Sequence, residues 1–351
     1  MASLNIMLTK IFFWLTINHG KYIITSGVED MDIIELKEKV KNGHNVTRDE
    51  AIELYKGDYE TLTKAADELR EYFCGNDFDV CTIINAKSGK CSENCKFCAQ
   101  SAHYNTHIKE YDLLDEETIV KDALDKYERG IPRYSMVASG KGLTTKDIDK
   151  ICSITRKIHE KAPEMKVCIS GGIISEESFE KLKDAGITRI HNNLETSRNF
   201  FPEICTTHTY DQKIDTIKAA QKAGMEICSG GLIGLGEDFT DRIDMALQLR
   251  ELGVHSVPVN LLNPIKNTPL ENNEPLSMEE VNRTCASFRF ILPKALIRLA
   301  GGRSLMEEFG LSAFKSGANA AISGVLLTTK GASIEEDMER FKKLDYTVKA
   351  V

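Results

Sequence analysis

The chain has 351 residues, of which 42% are hydrophobic, with ten cysteines and a formal net charge of −8. This length is enough for one large domain or two smaller ones, and it is too long for a small disulfide scaffold. The acidic balance argues against a nucleic-acid-binding protein.

The first 30 residues differ from the rest of the chain. Their apolar run over 11–17 is far too short to span a membrane, and it only weakly resembles the hydrophobic region of a signal peptide. A secretory signal would also conflict with the cysteine loop at 91–98, whose spacing indicates a reduced metal cluster. We interpret residues 1–30 as a dispensable extension, residues 31–79 as helices, and residues 80–345 as the main domain, with no membrane partner.

From residue 80 onward, short β-rich runs alternate with helical patterns, which predicts a parallel sheet. The predicted strands are 80–85, 133–138, 166–170, 189–193, 226–229, 256–260, 296–299 and 319–323. The predicted helices are 116–127, 145–161, 176–185, 210–223, 238–252, 278–292 and 334–344, with a shorter one over 302–311. Eight such units in about 250 residues favour a (β/α)8 TIM-type barrel with an N-terminal helical extension. A doubly wound open sheet is the alternative.

Cys91, Cys95 and Cys98 form a C-x3-C-x2-C loop directly after the first predicted strand. Three thiolates can hold three irons of a [4Fe-4S] cluster and leave the fourth iron open for a small molecule, whereas four cysteines would close the cluster for electron transfer. Structural zinc usually takes paired C-x2-C units and four ligands, and this loop lacks the second pair. The loop therefore predicts a catalytic iron–sulfur cluster in a reducing cytoplasm.

Several predicted strands carry polar or thiol side chains at or near their carboxyl ends, where barrel enzymes place catalytic residues. These residues are Cys168, Asn193, Cys228, Asn260 and Arg298 on the third to seventh strands. Cys168, Cys228 and Arg298 lie on alternate strands, which contribute to one interior layer, so they could ligate a second, deeper cluster. The alternatives are that the cysteines are buried small hydrophobes and that Arg298 pairs with a distant carboxylate.

Asn193 and Asn260 offer both a donor and an acceptor to a polar substrate, although asparagine also caps loops at strand ends. Glu195 could accept hydrogen bonds from ribose hydroxyls, or it could be a solvated surface carboxylate. The glycine-rich run over 228–237 lacks the Walker ending and the Rossmann spacing. We interpret its glycines as positions where the backbone approaches a ligand closely.

Together these residues resemble the biotin synthase family of the radical S-adenosylmethionine superfamily. The segments that carry the resemblance are 85–101, 191–197, 206–210, 228–237, 256–260 and 297–303. The resemblance implies a homodimeric barrel enzyme that converts dethiobiotin to biotin by radical hydrogen abstraction at C9 and C6. It further implies sulfur from a second cluster, usually [2Fe-2S], and an electron donor of the flavodoxin or ferredoxin type.

The resemblance also implies roles for individual residues. Cys91, Cys95 and Cys98 would be the catalytic [4Fe-4S] ligands, and Cys168, Cys228 and Arg298 would be ligands of the second cluster. Asn193 and Glu195 would contact S-adenosylmethionine, and Asn193 and Asn260 would contact the substrate.

One position departs from the family pattern, which usually has a third second-cluster cysteine on the second strand. Here that position is Ser135, and serine is a harder, far more basic and poorer iron ligand than cysteine. We hypothesise that Cys205, on the loop after the fourth strand, supplies the missing thiolate. The alternative is that Cys205 is an ordinary loop cysteine.

Two other functions fit parts of this pattern. A related radical S-adenosylmethionine enzyme, such as a maturase for hydrogenase cofactors, would have no need for Arg298. A non-catalytic iron–sulfur electron carrier would need a fourth cysteine close to the loop, and the loop offers none.

Overall fold

The computed structural model describes residues 12–18, 21–27, 32–324, 327 and 331–351. Strands β1 (Phe12–Asn18) and β2 (Lys21–Gly27) pair antiparallel in a two-stranded sheet that is separate from the main sheet. Residues 1–11, 19–20 and 28–31 lie outside the described residues. The interpretation of 1–30 as a dispensable extension therefore stays a prediction.

Eight parallel strands close into a barrel, which confirms the (β/α)8 prediction over the open sheet. The strands of the main sheet are β3 (Asp77–Lys87), β4 (Arg133–Ala138), β5 (Lys166–Ser170), β6 (Ile187–His191), β7 (Glu226–Cys228), β8 (Gly231–Ile233), β9 (Ser256–Leu261), β10 (Leu296–Leu299), β11 (Ala320–Ile322) and β12 (Thr347–Lys349). The barrel order is β3-β4-β5-β6-β7-β9-β10-β11, and β11 pairs back with β3. Strand β12 pairs with β3 beside the barrel.

The fifth barrel strand is interrupted, because β7 and β8 both pair with β9. A Cβ atom on Gly230 would lie 2.0 Å from the carbonyl oxygen of Pro258, and one on Gly231 would lie 2.3 Å from that of Glu195. These spaces leave no room for a side chain. At these two positions the glycines let the backbone of β9 and of the segment after β6 come close.

The helices follow the predicted alternation with small differences at their ends. They are α1 (Ile33–Lys41), α2 (Arg48–Lys56), α3 (Tyr59–Cys74), α4 (Glu116–Glu128), α5 (Thr145–Lys161), α6 (Glu176–Asp184), α7 (Phe201–Ile204), α8 (Tyr210–Lys222), α9 (Phe239–Glu251), α10 (Met278–Ile291), α11 (Leu311–Phe314) and α12 (Ile334–Lys343). Among the described helices, none is both long enough and apolar enough to cross a bilayer.

The predicted helix over 302–311 is wrong in its details. The segment forms two short 3-10 helices, Arg303–Leu305 and Glu307–Phe309, and α11 begins only at Leu311. Gly302 and Gly310 adopt left-handed φ values of 79° and 87°, which interrupt a regular α-helix.

The N-terminal helices begin at side-chain caps and pack on the outside of the barrel. Asp32 caps α1, Thr47 and Glu50 form a capping box on α2, and Asp58 caps α3. Each such cap stabilises its helix by about 1 kcal/mol. Helix α2 packs on α9 and α10, and α3 packs on α10, so these helices are joined to the barrel.

Side chains on the barrel strands alternate between the helical layer and the interior. The outward-facing Phe78 is fully buried, with its ring centroid 4.2 Å from that of Phe341 and 5.2 Å from that of Phe314. Removing a ring of this kind costs about 3–5 kcal/mol. The apolar core therefore lies mostly between strands and helices, which leaves the interior positions available for other side chains.

Candidate active site

A cavity of about 300 Å³ extends from the loop after β3 into the barrel interior. Phe97 and Cys98 of that loop line it, together with Asn260 at the carboxyl end of β9. Deeper positions on the strands contribute thiol and guanidinium groups to the same cavity. A pocket of this size suits a small organic ligand.

The cysteine loop folds back on itself and leaves its three thiols partly buried. The Cys91 amide donates to the carbonyl of Gln100 at 3.1 Å, and the Cys98 amide donates to that of Cys95 at 3.0 Å. Burial raises the pKa of Cys98 to about 11. Because a cluster binds thiolates, the loop must lose protons when it is loaded.

A buried carboxylate within the loop ties it to the segment after α7. Oε2 of Glu93 accepts hydrogen bonds from Oγ1 of Thr207 at 2.7 Å and from Nδ1 of His208 at 2.6 Å. The side chain of Asn94 also donates to Oγ1 of Thr206 at 2.7 Å. The loop is thus held by residues more than a hundred positions later in the chain.

Cys205 belongs to this same cluster of contacts. Its sulfur lies 3.7 Å from that of Cys95 and 3.3 Å from Nδ1 of His208, and the ligand atoms of all three residues lie within 4.8 Å of one another. The hydrogen bond with Cys95 and another with His208 lower the pKa of Cys205 to about 3, although burial opposes ionisation. The structure brings Cys205 to the first cysteine loop, and Cys205 is not among the described residues that line the cavity.

The interior thiols and Arg298 form a layer of four residues. The first, third, fifth and seventh barrel strands are β3, β5, β7 and β10, and they contribute Cys81, Cys168, Cys228 and Arg298 to the cavity lining. Alternate strands of a barrel supply one layer. The sequence analysis missed Cys81, although the same alternation, extended back to the first strand, would have found it.

Arg298 is paired with a buried carboxylate that the sequence analysis did not identify. Its Nη2 lies 2.5 Å from Oδ1 of Asp79, and its Nη1 lies 3.3 Å from the sulfur of Cys81. Arg133 contacts the other oxygen of Asp79 at 3.2 Å. Burial opposes ionisation of Asp79, but the guanidiniums of Arg298, Arg133 and Arg189 hold its pKa below the usual range. The distant ion pair considered for Arg298 is therefore present.

The electrostatics of the layer differ from one thiol to the next. Burial opposes ionisation of Cys228, but a hydrogen bond from His191 and the charge of Arg298 lower its pKa to about 6. Burial raises the pKa of Cys81 to about 11. Nη1 of Arg133 also lies 3.7 Å from the sulfur of Cys168. Buried thiols beside cationic groups are a donor set that fits an iron–sulfur cluster.

The two predicted asparagines make hydrogen bonds between strand ends. Oδ1 of Asn193 accepts from the Gly230 amide at 3.1 Å. Oδ1 of Asn260 accepts from the Gly301 amide at 2.8 Å, and its Nδ2 donates to the Gly231 carbonyl at 3.0 Å. Both residues therefore act as caps, and Asn260 also lines the cavity.

Glu195 is not a solvated surface carboxylate. Its side chain is 15% exposed, its backbone has a left-handed φ of 73°, and its buried Oε2 has no hydrogen-bond partner within the described residues. Non-glycine residues with such a φ often lie at binding sites. This oxygen can accept a hydrogen bond from a group that the described residues do not supply.

Two family models match the chain. The model described as the radical SAM superfamily matches residues 86–249, and the model described as the Biotin and Thiamin Synthesis associated domain matches residues 258–347. The first range contains the cysteine loop together with Cys168 and Cys228, and the second contains Asn260 and Arg298.

Solved structures of two other enzymes resemble this fold. A methylornithine synthase superposes with a TM-score of 0.77 at 19% identity, covering 89% of this chain and 97% of that one. A maturase of the [FeFe]-hydrogenase superposes with a TM-score of 0.78 at 21% identity, covering 91% and 75%. Likeness at these identities concerns the fold alone.

Two curated relatives are much more similar in sequence. A biotin synthase of Brachyspira hyodysenteriae is 53% identical over 320 residues, which is 91% of this chain and 96% of that protein. A biotin synthase of Clostridium botulinum is 54% identical over 317 residues, or 90% and 99%. The chain therefore belongs to the biotin synthase family of radical S-adenosylmethionine enzymes.

Proposed function

We propose that the protein is a biotin synthase, which inserts one sulfur atom between C6 and C9 of dethiobiotin with S-adenosylmethionine as the source of radicals. One observation carries this proposal. A single cavity contacts Cys98 of the first cysteine loop and also Cys168 and Cys228 of the interior layer. A substrate in that cavity has a radical source on one side and a sulfur source on the other.

In this proposal, Cys91, Cys95 and Cys98 hold a [4Fe-4S] cluster. When bound, the cluster supplies the electron that cleaves S-adenosylmethionine to methionine and a 5′-deoxyadenosyl radical. Three thiolates leave one iron position free for the amino and carboxylate groups of that molecule. The hydrogen bonds that Glu93 accepts from Thr207 and His208 keep the loop in place.

Glu195 and Asn193 hold S-adenosylmethionine in this scheme. The unpartnered Oε2 of Glu195 accepts hydrogen bonds from the ribose hydroxyls. Oδ1 of Asn193 accepts a hydrogen bond from the Gly230 amide, and this contact fixes the orientation of its Nδ2 group. These contacts position the reactive 5′ carbon, because radical transfer requires close approach to the substrate.

Asn260 and Asn193 bind the polar groups of dethiobiotin. Leu261 and Leu262 line the cavity beside Asn260 and exclude water from the unactivated carbons. Two 5′-deoxyadenosyl radicals would each remove one hydrogen atom, one at C9 and the other at C6. Two molecules of 5′-deoxyadenosine therefore form for each biotin.

Cys168, Cys228 and Arg298 would hold the second iron–sulfur cluster, which is usually [2Fe-2S] in this family and would supply the sulfur. The lowered pKa of Cys228, about 6, favours the thiolate that such a cluster binds. The pair between Arg298 and Asp79 explains the burial of Arg298 without a cluster, so its role as a ligand depends on its position in the layer.

The family resemblance also supports a homodimer, a flavodoxin- or ferredoxin-type electron donor and a cytoplasmic location. All ten cysteines are free, which agrees with a reducing compartment.

The test is anaerobic reconstitution with iron and sulfide, followed by incubation with S-adenosylmethionine, a reductant and dethiobiotin. We expect biotin together with two equivalents of 5′-deoxyadenosine. Formation of 5′-deoxyadenosine without biotin or a thiolated intermediate would refute the assignment. That result would favour a different radical enzyme, such as a maturase.

A further inference from the structure

The interior layer contains a thiol, that of Cys81, to which the family resemblance gives no role. The resemblance gives the second cluster three cysteines and one arginine, with the third cysteine on the second barrel strand. In this chain that position is Ser135. Serine ligates iron poorly because its alkoxide is hard and strongly basic. With Cys168, Cys228 and Arg298 alone, the cluster lacks one thiolate.

Cys81 occupies the remaining position of the layer. It is 7% exposed and lines the cavity together with Cys168 and Cys228. Its sulfur lies 3.3 Å from Nη1 of Arg298. Strand β11 lies between β10, which carries Arg298, and β3, which carries Cys81. It presents the small side chain of Ala320, which pairs with Arg298 on one side and with Asp79 on the other.

The strand register shows how Cys81 can substitute for the missing cysteine. On β4, Ser135 pairs with Ile83 of β3 on one side and with Cys168 of β5 on the other. Cys81 is two residues before Ile83 and faces the same interior. It therefore lies one interior position deeper than Ser135 on the adjacent strand, and a thiolate there reaches the same part of the barrel.

Cys205 is the competing candidate, and its contacts lie elsewhere. Its sulfur contacts Cys95 and His208 at the first cysteine loop. The described lining of the cavity contains Cys81 but not Cys205.

We propose that Cys81 is the third thiolate ligand of the second cluster and replaces the cysteine whose position is taken by Ser135. The cluster is then held by one residue from each alternate strand, namely Cys81, Cys168, Cys228 and Arg298. When the cluster binds, the S–H bond of Cys81 is replaced by an S–Fe bond and one proton is released. This inference rests on the proposed function only in requiring a second cluster, and it does not require that biotin be formed.

The test measures the second cluster by itself. In a full-length C91A/C95A/C98A background, only the second site remains, and iron, acid-labile sulfide, absorption and Mössbauer spectra are recorded after anaerobic reconstitution. Into this background we introduce C81S, with S135A and C205S as matched controls at the other two candidate positions. We expect the iron and sulfide content of C81S to be more than about tenfold lower, since even outer-shell partners of a metal ligand contribute about 10–100-fold to affinity. S135A and C205S should keep the cluster and its spectrum.

A double variant, C81S/S135C, returns a thiol to the second barrel strand and should restore iron and sulfide. It also guards against a folding defect in C81S, because restored cluster content in a folded protein, checked by circular dichroism, shows that the missing thiol was the cause. A C81S protein with full cluster content and an unchanged spectrum would overturn the proposal, as would loss of the cluster in C205S alone.

The two proposals can fail separately. If C81S loses the cluster but the wild-type protein makes no biotin, the function is wrong and the ligand assignment stands. If the wild-type protein makes biotin but C81S keeps its cluster, the ligand assignment is wrong and the function stands. A wild-type chain that binds no second cluster overturns the ligand assignment.

Discussion

The two thiol sets of this molecule are built in opposite ways. Cys91, Cys95 and Cys98 lie within eight residues of one loop, and that loop closes with its own backbone hydrogen bonds. The interior layer draws single residues from four strands between Cys81 and Arg298. The first set is a motif, whereas the second is a product of barrel register, so a substitution in the second can be compensated on another strand.

The difference is also electrostatic. The interior layer contains the buried carboxylate of Asp79 and the guanidiniums of Arg133 and Arg298. The loop is supported by the carboxylate of Glu93, which accepts a hydrogen bond from His208. In both regions a buried acid accepts a hydrogen bond from a group that contacts a thiol. The two regions can therefore be compared by removing either a thiol or the acid.

The largest effect is expected from removing a loop thiol. C98A should reduce 5′-deoxyadenosine formation by about 10³-fold or more, as when one member of a catalytic unit is lost, and biotin formation should fall with it. Chromatographic assay of 5′-deoxyadenosine checks this result. C152A is the matched control, because Cys152 is a buried thiol on helix α5, outside both sets. Retention of S-adenosylmethionine cleavage in C98A would show that the loop is not the radical source.

Removing a thiol from the interior layer should separate the two half-reactions. We expect C168A to form biotin about 10²-fold more slowly, judging by the contribution of metal-site groups. It should still cleave S-adenosylmethionine within about threefold of the wild-type rate, because the loop is intact. The same reaction mixtures give both rates. Parallel loss of both activities would mean that the two sets are not independent.

This contrast explains how much the sequence could predict. The loop was identified from spacing alone, and the barrel followed from the alternation of strands and helices, which reflects local patterns. The pairing of Asp79 with Arg298 joins residues 219 positions apart, and no local pattern indicates which carboxylate an interior arginine meets.

Cys81 could have been predicted from the alternation of strands in a barrel layer. It was missed because only the carboxyl ends of the strands were expected to carry site residues, and Cys81 lies in the middle of β3. The prediction of one helix over 302–311 is wrong because Gly302 packs against the backbone of Leu261. Helix propensity does not include such a tertiary contact.

The buried acid of the layer should matter more to stability than a surface acid does. D79N leaves Arg298 and Arg133 buried without a carboxylate, and breaking a buried pair in this way costs about 3–5 kcal/mol. The free energy of unfolding from urea titration measures the loss. D244N is the control, since Asp244 pairs with Arg48 at the surface and should cost about 0–1 kcal/mol. Equal costs for the two variants would mean that the layer is not held by charge.

The acid of the loop should have the smallest effect, and that effect should depend on pH. E93Q weakens the hydrogen bonds from Thr207 and His208, which for a charged acceptor contribute about 1.5–3 kcal/mol. Burial opposes ionisation of Glu93, but hydrogen bonds from Thr207 and His208 lower its pKa. Burial likewise opposes protonation of His208, but hydrogen bonds to Cys205 and Glu93 raise its pKa.

The sign of the pH dependence follows from these two directions. The contribution of Glu93 to stability is present above its unfolded pKa and is lost as the pH falls through its lowered folded pKa. The contribution of His208 is full below its unfolded pKa and is lost as the pH rises through its raised folded pKa. The difference in unfolding free energy between the wild type and E93Q should therefore peak between the unfolded pKa values, near about 4.3 and 6.5, and decline on both sides. Urea titrations at a series of pH values on the cluster-free protein test this, with E279Q at an exposed ion pair as the control. A difference that does not vary with pH would show that Glu93 supports the loop by packing alone. The loop would then differ from the layer, which is held by charge, in the type of interaction as well as in its strength.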